Sequence, residues 1–269
     1  MRGYLKNSKP FTFFSILILF SCSLTGCFSS EEVLPEKFGV PGGLALACLN
    51  SSQFSEIVVE IDYESDQKPR PETLEMLVDR ISSVCEKQSV TYELFLTDFE
   101  HEGDWTNDEI RLIGRETRES DAMNGNQLRF HFMYPSGKHT NENVLGVAVD
   151  ASTVMIFVDT IKESENLIQR PSWENIEASV TIHELGHLFG LVNLVYQSNI
   201  DHEDPDHPGH SSNEDSVMYW AIETSDVSNI IFGTLPNEFD SDDLSDMSNL
   251  KNSQIQAFDQ LWYPEDYLY

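Results

Sequence analysis

Residues 183–190 read HELGHLFG. His183 and His187 stand four apart, so on an α-helix both imidazoles fall on one face, one turn above the other. Two nitrogen donors in that relation can grip one zinc ion, and a catalytic zinc takes three protein ligands and keeps an open position. Glu184 points from the same turn toward that position, where it can take a proton from water. Gly190, three residues after His187, can adopt the left-handed conformation that ends a helix, which lets the chain turn back with a third ligand. The plainer alternative is a polar surface face. The flanking residues oppose it, because Ile176 and Val180 continue the histidine stripe while Ala178, Ile182, Leu185 and Phe189 form a second one. A helix apolar on two sides is buried, and buried histidines and glutamates need partners.

Upstream of this helix, strand-like and helical periods alternate. EIVVEID from Glu56 and VTYELFL from Val90 to Leu96 read as strands. Between them Pro71 opens a helix with Leu74, Leu77, Val78, Ile81 and Val84 inward. Another helix begins around Trp105–Asp108 and runs to about Arg118. QLRFHFMY (Gln127–Tyr134), LGVAVD and TVMIFVD, the last two ending at Asp150 and Asp159, supply three more strands. Ser172 is a candidate N-cap for the metal helix. Asp240–Asp243 would cap a C-terminal helix carrying Leu244, Met247 and Leu250, with Trp262 and Tyr263 docking its end. The order predicts an α/β (α+β) sandwich: a mixed twisted sheet with a buried metal-binding helix and a C-terminal helix.

The chain has 269 residues, 40% of them hydrophobic, enough for one sizeable domain with appendages. Sixteen Lys and Arg against 46 Asp and Glu give a net charge of -30, which argues against a nucleic-acid partner. Arg2, Lys6 and Lys9 precede an apolar run, Phe11–Leu24, that is short for a membrane span. It ends in Leu24-Thr25-Gly26-Cys27, which resembles the lipobox of bacterial lipoproteins; a plain signal peptide or an uncleaved anchor is the alternative. The resemblance implies lipidation at Cys27 and a place in the cell envelope, anchored on the outer side of the cytoplasmic membrane or in the outer membrane. The expected division is a signal peptide at 1–26, a lipidated N-terminus and tether at 27–45, a domain built around the metal helix at 46–235 and a C-terminal helical segment packed on it at 236–269. In an oxidising compartment Cys48 and Cys85 would pair as a disulfide, with two buried thiols as the alternative.

HELGHLFGL followed by SVMYW resembles the metzincin clan of zinc endopeptidases, whose pattern is HExxHxxGxxH and then a methionine turn. Here the third ligand's place holds Asn193, and an amide oxygen is a poor substitute for imidazole on zinc. Farther on lie His202, His207 and His210. Counted from His210, Ser211, Ser216 and Met218 keep the spacing of the archaemetzincin group, with serine at both of that group's cysteine positions. The resemblance covers His183 to Met218 and implies an acidic insertion at 194–209, His210 as third ligand and Met218 as a packing base beneath the metal. The serine replacements imply that the second, structural zinc of that group is lost. His202 and His207 read as members of an exposed acidic loop, and His101, His131 and His139 as surface or strand histidines. Tyr219 is a weaker candidate for oxyanion support. Asp201, Glu203, Asp204, Asp206 and Asp215 could meet calcium, but no EF-hand-like spacing accompanies them.

The expectation is one Zn2+ held by His183, His187 and His210, with Asn193 as alternative ligand, and Glu184 as general base. The resemblance implies a metallopeptidase acting on a peptide or protein, endopeptidase rather than aminopeptidase, and a monomer attached to the membrane through its lipid. The alternative function is a surface binding lipoprotein that keeps zinc for structure, its fourth ligand being Asn193 or His207.

Overall fold

The computed structural model describes residues 39–50, 52–164, 171–225, 227 and 234–258. The signal segment, Cys27, the first part of the tether and the pair Trp262–Tyr263 lie outside these residues. Among the described residues no helix is long and apolar enough to cross a membrane.

Six strands form one mixed sheet. They are β1 (Glu56–Tyr63), β2 (Ser89–Leu96), β3 (Met123–Asn124), β4 (Gln127–Tyr134), β5 (Gly146–Ala148) and β6 (Thr153–Ile156). The order across the sheet is β2-β1-β4-β6-β5, with β3 pairing off β4. β1 runs parallel to β2 and β4, and β4 parallel to β6, whereas β5 turns back antiparallel on β6 and ends the sheet. The β1–β4 register sets Ile57, Val59 and Ile61 beside Leu128, Phe130 and Phe132. The two-residue period of strands puts these six on one face. That face packs with Leu74, Leu77 and Ile81 of α2 (Pro71–Val84) and with Ile176, Val180 and Leu188 of α5 (Trp173–Leu188) in the main core. On the other face Met133 and Met155 pack with Ile110 of α3 (Asn107–Thr117). Gly114 of α3 lets the helix sit close, since a β-carbon there would lie 2.8 Å from Thr153 Cγ2.

Helix starts follow local chemistry. Pro71 opens α2 at a position where its missing N–H costs nothing. Thr106 and Glu109 form a reciprocal capping box on α3. Asp240 and Asp243 do the same for α6 (Ser241–Lys251). Ser172 has the extended N-cap backbone, but its side chain makes no capping bond to α5.

Two expectations are corrected. The tether does not last to residue 45: Gly42, Gly43 and Leu44 are buried, and α1 (Ala45–Leu49) belongs to the core. The reason is contact between glycines, for a β-carbon on Gly42 would lie 2.6 Å from Gly190 Cα. TVMIFVD is not strand throughout. β6 stops at Ile156, and α4 (Val158–Ser164) starts with Ile161 N–H donating to the Phe157 carbonyl. Cys48 and Cys85 are joined by a disulfide, tying the end of α1 to the end of α2 with Cα atoms 5.3 Å apart. Closing a loop of 37 residues stabilises the fold by about 4 kcal/mol in the chain-entropy account.

Candidate metal centre

Every residue of α5 from Ile176 to Leu188 is buried, so the histidines on it are presented to the interior. The helix ends at Gly190, whose φ is +73°. Gly190 N–H donates to the His187 carbonyl and Leu191 N–H to the Gly186 carbonyl, the paired bonds of a Schellman ending. The following residues keep turning, with φ 54° at Val192 and 66° at Asn193. An asparagine tolerates that backbone better than most residues.

Asn193 faces away from the histidines and staples the insertion. Its amide donates to Glu203 Oε2 at 2.7 Å and its oxygen accepts from Ser198 N–H at 2.7 Å. Glu203 in turn accepts from Gly209 N–H at 2.9 Å, and the Asp204 N–H donates to the His210 carbonyl. These bonds bring the chain back from its excursion just before His210.

The three imidazoles of His183, His187 and His210 form a triangle with ring centroids 4.7, 5.1 and 5.2 Å apart. His183 Nδ1 lies 2.7 Å from the Val217 carbonyl, which can only accept, so that nitrogen carries the proton. The His183 Nε2 lone pair is thereby turned inward, as in a metal ligand oriented from behind. His187 Nε2 lies 3.1 Å from it. Burial pushes the His187 imidazole down to about 4, against the pull of Glu223, and so favours the neutral form that can ligate. His210 Nε2 is buried and makes no hydrogen bond, its near neighbour being Glu223 Oε1 at 3.4 Å.

Glu223 is the member that sequence reading missed. It ends a short 3-10 turn, Trp220–Glu223, just after the methionine turn, and its carbonyl accepts from Leu145 N–H at 2.9 Å. Its Oε2 lies 3.5 Å from His183 Nε2 and 3.7 Å from His187 Nε2. Together the three nitrogens and this carboxylate supply donor atoms within 4.8 Å of one another. Burial opposes the charge on Glu223, but the nearness of the His183, His187 and His210 imidazoles outweighs that and holds the carboxyl well below the usual range. Three imidazole nitrogens and one carboxylate converging on one point are a donor set that suits Zn2+.

Glu184 is fully buried and sits against β5. A β-carbon on Gly146 would lie 3.0 Å from its carboxylate, and the Ala148 amide reaches the same group. Burial first, and then the charge of Glu223, hold its carboxyl well above the ordinary range. Met218 is wholly buried under α5: a β-carbon on Gly186 would lie 2.1 Å from its sulfur. Ser216 Oγ accepts from Met218 N–H and donates to Asp243, fixing this turn against α6. Tyr219 is half-buried beside Trp220, ring to ring at 5.8 Å.

One histidine differs from the exposed-loop reading. His202 is buried, bonded to Asp246 at 3.0 Å and 3.8 Å from Asp243. The acids that pair with it, Asp243 and Asp246, are on α6, out of sight in the local sequence. His131 on β4 is fully buried and pairs with Asp62. Glu60 joins that pair in a compact group, but Arg129 reaches Glu60 at 3.3 Å and Glu93 at 2.6 Å. A guanidinium already supplies the positive charge there, so this group is an ion-pair network rather than a cation site. His207, by contrast, is partly exposed, bonding Asp204 at 2.8 Å and stacking on Trp220 at 4.1 Å.

No protein-family model and no curated protein matches the sequence. Among solved structures, the chain is similar to an archaemetzincin from Methanopyrus kandleri, at 12% identity and a TM-score of 0.48, over 72% of this chain and 95% of that one. It is also similar to an archaemetzincin from Archaeoglobus fulgidus in complex with malonate, at 12% identity and a TM-score of 0.39, over 71% and 99% of the two chains. The likeness is distant, and the metal centre rests on this chain's own geometry.

Proposed function

We propose that this chain is a zinc-dependent peptidase. The observation that carries the reading is the convergence of His183, His187 and His210 from two distant segments, with a buried carboxylate on the same helical turn. When bound, zinc supplies a Lewis acid that polarises a carbonyl and acidifies water. Glu184 accepts the proton of the attacking water and returns it to the leaving nitrogen. Burial, and then the charge of Glu223, raise its proton affinity, which suits it to carry that proton. Val217 holds His183 in the required tautomer, and Met218 packs beneath the histidines without ligating. β5 ends the sheet beside Glu184, and an extended peptide could add to that edge through backbone hydrogen bonds.

The substrate is accordingly a peptide or protein, and the lipobox-like Leu24-Thr25-Gly26-Cys27 supports a place in the cell envelope on a lipid at Cys27. The domain acts as a monomer. One observation favours the second reading, in which zinc serves structure alone: Glu223 completes a set of four protein donors. Peptide-library cleavage by zinc-loaded wild type and Glu184→Ala separates the two readings. The peptidase reading expects the variant to keep about one zinc and to lose more than nine-tenths of hydrolysis. Equal cleavage by both would remove Glu184 from the mechanism.

A further inference from the structure

Glu223 has no part in the chemistry just described, yet it occupies the middle of the site. Four of the separations among the three nitrogens and the two carboxylate oxygens can be compared with a coordination shell: 3.1 Å between the Nε2 atoms of His183 and His187, 3.4 Å from Glu223 Oε1 to His210, and 3.5 and 3.7 Å from Glu223 Oε2 to His183 and His187. Four ligands arranged tetrahedrally at about 2.0–2.1 Å from zinc stand about 3.3–3.4 Å from one another. Glu223 therefore caps the three imidazoles at a fourth ligand's distance, using both oxygens. A hydrolytic zinc keeps that fourth place for water or substrate.

We propose that Glu223 is a fourth protein ligand and the gate of this site, closing it until the carboxylate swings aside. The proposal rests on the peptidase reading. The fold allows a side-chain movement with the backbone held. The Glu223 carbonyl is tied to Leu145 N–H at 2.9 Å, and the Ala221 carbonyl accepts from Thr224 N–H. About a third of the Glu223 side chain (32%) is exposed, so the carboxylate has solvent on one side to rotate into. Leu145 directly precedes β5, the edge along which a peptide would add, so an arriving backbone meets the residue that anchors the gate. Rotation of Glu223 would free the fourth position.

The test uses the cobalt(II)-substituted domain, with visible absorption as readout and acetohydroxamate as the probe ligand. Glu223→Gln and Glu223→Ala are compared with wild type, and neither touches the backbone bonds that hold the turn. The expected result is one cobalt per chain in all three, acetohydroxamate binding at least tenfold tighter in both variants, and faster peptide hydrolysis by their zinc forms. Zinc affinity itself should fall by tenfold or more in Glu223→Ala. Cobalt bound normally but with equal acetohydroxamate affinity in all three would overturn the gate and leave the peptidase reading standing. Tighter acetohydroxamate binding with slower hydrolysis would also overturn it, because Glu223 would then serve the reaction. Failure of wild type to bind cobalt would overturn the underlying reading.

Discussion

At the scale of single residues, the telling contrast is between Asn193 and His210. Asn193 occupies the expected place of a third ligand but spends its amide on Glu203 and Ser198. His210 lies farther along the chain, yet its ring stands about 5 Å from both α5 histidines, at 5.2 and 5.1 Å. His210→Ala should therefore lower zinc affinity far more than Asn193→Ala. The first leaves two imidazoles, whereas loosening a support typically costs 10–100-fold. Competition with a chelator measures both, and equal losses would contradict the assignment. HELGHLFG was readable because its ligands are local, four residues apart on one helix. Glu223 was not, since only the tertiary fold brings a 3-10 turn to α5. The sole hint was its nearness in sequence to Met218, which by itself singles out no carboxylate among the 46 acidic residues of the chain.

At the scale of elements, sequence periodicity located β1, α2, α3 and β4, each with a face buried against another layer; β2 was located as well, although this edge strand buries neither of its faces. It failed at Phe157, where an unbroken apolar run hides the change from β6 to α4: buried strand and buried helix look alike over so few residues. It failed also at His202, which joins the insertion to α6 through Asp246 and Asp243. The hydrogen bond to Asp246, helped by the charges of Asp246, Asp243 and Asp240 against burial, raises the His202 proton affinity. Burial, followed by the Asp240 charge, pushes the Asp243 carboxyl up to about 6. Both groups bind protons more tightly folded than unfolded. Their stabilisation is complete below the unfolded values and is lost as pH rises through the folded ones: for Asp243 between about 4 and 6, for His202 from about 6.5 upward. Without added metal, the domain should therefore unfold at a lower urea concentration at pH 9 than at pH 6. In His202→Asn that pH dependence should shrink. Parallel slopes in variant and wild type would show that His202 does not link the insertion to α6.

For the molecule as a whole, a parallel-cored sheet carries α2 and α5 on one face and α3 on the other. The disulfide fastens α1 to the end of α2, and the chain's return through the insertion supplies His210. Two compact groups of histidine and carboxylate result, a partly buried one at His183, His187, His210 and Glu223 and a fully buried one at Glu60, Asp62 and His131. The first faces inward lone pairs with no cation among its own side chains; the second is balanced by Arg129. One ion should consequently choose between them without ambiguity. A zinc-edge anomalous difference map from crystals of the zinc-loaded domain makes that choice visible across the entire chain. The account predicts a single strong peak between the Nε2 atoms of His183, His187 and His210. A peak beside Asn193 with His210 turned away, a peak at Glu60, Asp62 and His131, or no ordered zinc would contradict it.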